Sequence, residues 1–216
     1  MRGVLITFEG TEGAGKSTLI QALAALLARH GYPAVTTREP GGSAVAEKIR
    51  ELILREPMEA WTEAFLYEAA RAEHLGKTIV PELKRGAIVL CDRFTDSTLA
   101  YQGSARGLAW KTLRQLNKIA TDGITPRLTV FVDIDPARGL RDAKDPNRFE
   151  AEGVSFQKKV RQGFLRAIRE EPRRFITIRA RSGTPEEMAA DLYGKITKRL
   201  PTLAAKKPAP KKRAKK

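Results

Sequence analysis

Short β-rich apolar runs alternate with stretches of helical periodicity along most of this chain. Val4-Leu5-Ile6-Thr7-Phe8 reads as a first strand, and Leu19, Leu23, Leu26 and Leu27 behind it recur at helical spacing up to His30-Gly31. Ala34-Val35-Thr36-Thr37 reads as a second strand, followed by helices over 43–55 and about 62–84, the latter with a bend expected near Pro81. Ala87 to Cys91 is a third strand, 109–121 a helix, and Leu128 to Val132 a fourth strand. Helical pattern returns at 136, stops at Pro146 and resumes over 154–171. Phe175-Ile176-Thr177-Ile178 is a fifth strand and 185–199 a last helix. Strands that alternate with helices predict an α/β fold with a parallel sheet flanked by helices. No internal repeat interrupts the order.

Composition narrows the picture. A chain of 216 residues, 42% hydrophobic, suits one medium-sized domain. One cysteine rules out an intrachain disulfide and fits a reducing, cytoplasmic setting; Cys91, inside the third strand, is expected to be core. The first strand starts so early that no signal peptide is expected. No apolar run approaches ~18 residues, which excludes a membrane span, and no membrane partner is expected. The net charge of +15 is uneven. Residues 204–216, AAKKPAPKKRAKK, hold seven Lys/Arg and no acid, and should form a disordered basic tail beyond a domain of 1–203. Such a tail is either a solvated extension or a weak, non-specific contact for nucleic acid or another anionic surface. His30 and His74 have no partners at metal-ligand spacing and read as structural.

The most specific chemistry lies between the first strand and first helix. Gly10, Thr11, Glu12, Gly13, Ala14, Gly15, Lys16 and Ser17 fit G-x-x-x-x-G-K-[ST] in the strand–loop–helix setting that a phosphate-binding loop requires. Glycines let successive N–H groups face a polyphosphate, Lys16 places a charge at its β/γ end, and the Ser17 hydroxyl reaches Mg²⁺. The helix N-terminus adds its positive dipole end. A nucleoside triphosphate, ATP with Mg²⁺, is the expected ligand. Ligands of open α/β sheets bind outside the carboxyl ends of the strands, where TREPGG (37–42) places Arg38 and Glu39 and where Asp92-Arg93 ends the third strand. Asp92 suits a water-mediated Mg²⁺ contact and Arg93 a second phosphate. Residues 140–150 are charged and broken by Pro146. Arg141 and Lys144 share a helical face there, and Arg148 is expected in a loop. That segment reads as a basic lid or as a solvated charged face.

Taken in order, FEGTEGAGKST, TREPGG, LYEAARAEHL, CDRFTDSTLAYQG and FVDIDPARGLR resemble the bacterial thymidylate (dTMP) kinases over about residues 3–200. The resemblance implies a five-stranded parallel sheet with helices on both faces, a lid at about 141–150, and usually a homodimer. It implies transfer of a phosphoryl group from ATP to dTMP. Arg38, Glu39 and Arg93 would then line the acceptor phosphate, Tyr67 would stack on thymine, and Arg71 would approach the carbonyl edge of the base. Thr98 and Gln102 match positions near the base, Tyr101 one near the deoxyribose, and Glu12 one near the 3′-hydroxyl and metal waters. The phosphate loop carries no Arg, which resembles the class whose catalytic cations, here Arg141, Lys144 and Arg148, come from the lid. Tyr67 stands where Phe is more usual, Asn147-Arg148 replaces the commoner Asp-Arg, and Ile178-Arg179-Ala180 replaces Ile-Asp-Ala in a loop that faces adenine. The alternatives are a P-loop kinase for a related nucleotide or nucleoside and, without a helicase-type motif or a stacking platform to support it, a nucleic-acid-binding ATPase.

Overall fold

The computed structural model describes residues 3–142 and 148–203. The five apolar runs form one parallel sheet, β1 (Val4–Glu9), β2 (Ala34–Arg38), β3 (Ile88–Asp92), β4 (Leu128–Asp133) and β5 (Phe175–Arg179), in the order β2-β3-β1-β4-β5. The three inner strands are buried on both faces and therefore read as near-continuous apolar runs, whereas edge strand β2 is only half buried. Register aligns Arg38 with Asp92 and Asp92 with Phe8, so the carboxyl ends of β2, β3 and β1 come level.

Strand alternation sends Ile6, Phe8, Leu90 and Val130 to one face. There they meet Leu19, Leu23 and Leu27 of α1 (Lys16–Arg29) and Leu192 and Ile196 of α10 (Pro185–Arg199). Thr184 opens α10 with a reciprocal capping box to Glu187, which is why that helix starts where the sequence predicts. The opposite face carries a polar layer within the core. Thr7 and Thr129 hydroxyls lie 2.9 Å apart, and Arg174 donates to both Thr129 Oγ1 (2.6 Å) and Asp96 Oδ2 (2.6 Å). That face is covered by α3 (Ala60–His74), α9 (Gly153–Glu170) and the segment 95–105.

Helix α2 (Ala44–Arg55) precedes α3, and α6 (Trp110–Ala120) follows the 95–105 segment. Three details depart from the sequence reading. The helix expected to bend near Pro81 instead changes pitch before it, through a π turn at Leu75–Ile79 that leads into α4 (Val80–Lys84). Pro81 has no N–H to continue the preceding ladder, so the adjustment falls in the turn before it. The polar run 95–105, to which the sequence pattern assigns no element, is helical: α5 (Thr95–Thr98) and a π turn at Leu99–Ala105. Packing overrides its weak local propensity: a Cβ on Gly163 of α9 would sit 2.6 Å from the Ala100 Cα. Arg148 is not in a loop but opens α8 (Arg148–Ala151). A proline restricts the residue before it and the turn preceding it, not the residues that follow, so a helix can begin two positions after Pro146 in the sequence. Lys144 lies outside the described residues.

Candidate active site

The loop between β1 and α1 is held by backbone geometry. Gly13 (φ 68°) and Gly15 (φ 82°) adopt left-handed conformations that only glycine takes without strain. Close packing fixes the loop further. A Cβ on Gly13 would lie 2.0 Å from the carbonyl oxygen of Gly139 in α7 (Pro136–Arg141), so helix and loop touch through bare backbone. Gly15 caps α1 without a side chain, leaving the first N–H groups of that helix to face outward. Lys16 Nζ donates to the carbonyls of Gly10 (3.3 Å) and Thr11 (3.1 Å). Burial, and then Arg93, pull its ammonium below its ordinary pKa. Ser17 Oγ donates to Asp92 Oδ2 at 2.7 Å, while buried Asp92 Oδ1 has no partner among the described residues. A hydroxyl and a carboxylate with an unanswered oxygen are donors of the kind a hard divalent cation takes, directly or through water. The residues present fit Mg²⁺.

This loop walls a cavity of about 650 Å³, closed by Arg38, Arg50, Asp142, Arg181 and Met188. A second, narrower cavity of about 80 Å³ continues from it between Tyr67, Tyr101, Gln102, Leu54 and Phe149. Glu12, Glu39, Arg50 and Arg93 line both. Arg93 sits at the junction in a left-handed conformation (φ 68°), rare for a non-glycine. It donates to Gly10 O (3.0 Å) and Glu12 Oε1 (2.6 Å), with its guanidinium 4.9 Å from the Tyr101 ring centroid. Tyr101 also donates to Glu12 Oε1, at 2.8 Å. Burial pushes the Glu12 carboxyl up, but Arg93 and then Lys16 outweigh it and hold the group below its usual range. Glu9 fixes this corner from beneath. Its two carboxylate oxygens accept from the Phe94 N–H (2.8 Å) and Ser97 Oγ (2.6 Å), which holds the turn that aims Arg93. Burial, and then Asp96, push the Glu9 pKa up to about 8.

Two joined cavities with cationic walls, one on a phosphate loop, describe a site for two phosphorylated ligands. A thymidylate kinase family model matches residues 8–191. The chain belongs to the thymidylate kinase family. A thymidylate kinase of Synechococcus sp. (strain JA-2-3B'a(2-13)) is 46% identical over 203 residues, 94% of this chain and 98% of that relative. One from Bacillus velezensis is 46% identical over 188 residues, 83% of this chain and 89% of the relative. The crystal structure of the thymidylate kinase from Ehrlichia chaffeensis superposes with a TM-score of 0.77 at 31% identity, covering 91% of this chain and all of that one.

Against thymidylate kinase expectations, the site gathers the loop residues Glu12 to Ser17, Arg38, Glu39, Asp92, Arg93, Tyr67, Tyr101 and Gln102 around the two cavities, while Gly10 and Thr11 line neither. Arg71 and Thr98 line neither. Arg71 is fully buried one layer back, donating to Glu39 (2.8 Å), Glu68 (2.8 Å), Thr98 (2.9 Å), Asn117 (2.7 Å) and the Phe94 carbonyl (3.1 Å). All its nitrogens are engaged, so in this arrangement it braces Glu39 rather than facing a base. Arg141 is exposed outside both cavities, and Arg148 pairs with Glu63 (2.8 Å) and donates to the Ile53 carbonyl, turned away from the phosphate loop. His74 is buried, within 2.7 Å of Thr37 Oγ1 and 3.1 Å of Glu39 Oε1, as a structural histidine. Cys91 is buried core. Sequence reasoning missed Arg50, Arg181 and Phe149. Arg50 follows Glu47 by one helical turn on α2, so the amphipathic spacing there carried a usable signal. Arg181 reaches Gly13 O (3.2 Å) and pairs with Asp142 only through tertiary folding, which no spacing reveals.

Proposed function

We propose that the larger cavity takes the donor ATP and the narrower one the acceptor dTMP, with phosphoryl transfer at their junction. The reaction is transfer of the γ-phosphoryl group of ATP to dTMP, giving dTDP and ADP, a step in dTTP supply. The shared wall of Glu12, Glu39, Arg50 and Arg93 carries this division, because there both cavities meet.

A nucleotide monophosphate is already anionic and nucleophilic at neutral pH, so no strong base is needed. Bringing two polyanions into line is the difficult part, and it is met by positioning and electrostatics. Lys16 and the N–H groups of residues 13–17 would hold the donor phosphates. Arg38 and Arg93 would hold the acceptor phosphate, with Glu39 braced behind them by Arg71, and Thr98 supports Arg71 in turn. Tyr67 would stack on thymine, Gln102 read its edge, and Tyr101 with Glu12 border the sugar. Ser17 and Asp92 would hold Mg²⁺, which when bound offsets charge on the donor phosphates. Arg141, Lys144 and Arg148 belong to this reading as lid cations, and for Arg148 the role requires release from Glu63. A cytoplasmic homodimer completes it: no described helix is long and apolar enough to cross a membrane, and Val45, Leu52, Trp61, Phe65 and Ile119 expose apolar surface on α2, α3 and α6.

A coupled assay of ADP release with dTMP, dUMP, dCMP, dAMP and dGMP tests the reading. Turnover should be highest with dTMP and indifferent to added DNA or RNA. Preference for another acceptor, or nucleic-acid-stimulated hydrolysis without any acceptor, would overturn it.

A further inference from the structure

Gln102 is 1% exposed and lines the narrow cavity, and its side-chain NH₂ donates to Glu63 Oε1 at 2.8 Å. Glu63, on α3, is completely buried and touches neither cavity. Its Oε2 faces Arg148 (2.8 Å) and Arg106 (3.3 Å), so two guanidinium groups offset the burial of its charge. A carboxylate has no proton to donate. It can therefore hold only the NH₂ end of the Gln102 amide, which turns the carbonyl end away from it. That carbonyl has no hydrogen-bond partner among the described residues. The backbone beneath is equally fixed. Leu108 N–H donates to the Gln102 carbonyl oxygen (3.0 Å), and a Cβ on neighbouring Gly103 would lie 3.1 Å from the Trp110 ring. What remains to be set is the orientation of the terminal amide.

We propose that Glu63 is a specificity-determining positioning residue, which locks the Gln102 amide so that its carbonyl faces the acceptor base and selects bases that carry N3–H. The proposal rests on the reading of the narrow cavity as the acceptor site. Thymine and uracil present a donor at N3 beside carbonyl acceptors, and they match an amide with its oxygen facing N3. Cytosine presents an acceptor at N3 beside a donor amino group, and it would need the amide reversed. Reversal would set the Gln102 carbonyl against the Glu63 carboxylate, two acceptors with no proton between them. Glu63 touches no substrate, and its influence passes through Gln102.

Steady-state kinetics of the full chain with dTMP, dUMP and dCMP tests this. Glu63→Gln, whose own amide accepts either orientation of Gln102, should raise dCMP relative to dTMP kcat/KM by about tenfold, the scale of a mismatched buried hydrogen bond. The dUMP to dTMP ratio should not change, because both bases carry N3–H. Glu63→Asp keeps the charge beside Arg106 and Arg148 but shortens the reach to Gln102. It should shift the dCMP ratio in the same direction, with melting temperature as the check on folding. In a Gln102→Ala background, which should itself raise the dTMP KM, Glu63→Gln should have no further effect on the ratio. An unchanged dCMP to dTMP ratio in both folded Glu63 variants, or an equal rise for dUMP and dCMP, overturns the proposal. If Gln102→Ala leaves the dTMP KM untouched, it is the acceptor-site reading that fails.

Discussion

The two cavities are built by different means. The larger one is built on backbone along its phosphate-loop wall: left-handed glycines, a helix N-terminus and a bare helix-to-loop contact between Gly13 and Gly139. The narrower one is made of side chains held by other side chains, Glu39 by Arg71, Arg93 by Glu12, and Gln102 by Glu63. A backbone site recognises what every nucleoside triphosphate shares, a run of phosphate oxygens. A side-chain site can read a base and a sugar, at the expense of burying charges that must all be paired. Substitutions in the first should therefore act on transfer itself, and substitutions in the second on which acceptor is used.

The largest effect is expected at Lys16. Its hydrogen bonds are to carbonyls of its own loop, so the fold does not depend on it. Lys16→Ala should lower kcat by about 10²–10³-fold, the scale of losing one preorganised donor at a developing charge, with unchanged circular dichroism. Near-normal turnover at saturating ATP and Mg²⁺ would break the assignment of the larger cavity to the donor.

Tyr67 sharpens the contrast. It lines the narrow cavity, 6.4 Å from Phe149 between ring centroids. Burial, and then Glu63, push its pKa upward, so the hydroxyl stays protonated across the working range. Tyr67→Phe should be nearly neutral, because stacking uses the ring. Tyr67→Ala should raise the dTMP KM by the equivalent of about 1–3 kcal/mol, the scale of base–aromatic stacking, with the ATP KM unmoved. Equal loss for donor and acceptor would return Tyr67 to a core role.

How much of this was legible follows the same division. The strands, their parallel setting and the phosphate loop could be read because periodicity and glycine spacing are local properties of the chain. Arg38, Glu39, Asp92 and Arg93 could be placed near a site because strand ends point there. Arg71 was matched to a motif, yet its five hydrogen bonds come from residues spread between Glu39 and Asn117. No local pattern shows which way such an arginine turns. Glu9 and Glu63 were invisible for the same reason: a buried acid in an apolar strand or helix declares its partner only in three dimensions. The helical state of 95–105 was hidden because packing against α9, not propensity, decides it.

Glu9 allows a smaller, pH-dependent test of the side-chain network. In the folded protein its pKa is pushed up to about 8, well above its ordinary 4.5, by burial and then by Asp96. Between those values the unfolded chain has released the proton and the folded chain retains it. Stability from this group is thus complete below about pH 4.5 and declines as pH rises towards 8. The melting temperature of the wild type relative to Glu9→Gln should fall from pH 5 to pH 8 and then level off. A difference that is flat across that range would mean that Glu9 is ionised throughout.

The smallest effect is expected from the tail. Both cavities lie within the residues before 204, and the last described residue still belongs to the core. Leu203 is fully buried, and its carbonyl accepts from the Tyr32 hydroxyl (2.6 Å) and the Tyr193 hydroxyl (3.1 Å). Residues 204–216 that follow hold seven cations and no apolar pattern with which to extend that packing. Truncation after Leu203 should leave dTMP kinetics and melting temperature nearly unchanged. Truncation after Leu200, which also removes the buried side chain and the acceptor of two tyrosine hydroxyls, should lower the melting temperature by several degrees, on the order of 2–5 kcal/mol for a core leucine. Any retention on nucleic acid should disappear with the tail and weaken steeply with salt, because only counterion release would drive it. A loss of several degrees on the shorter truncation would show that the basic tail packs on the domain.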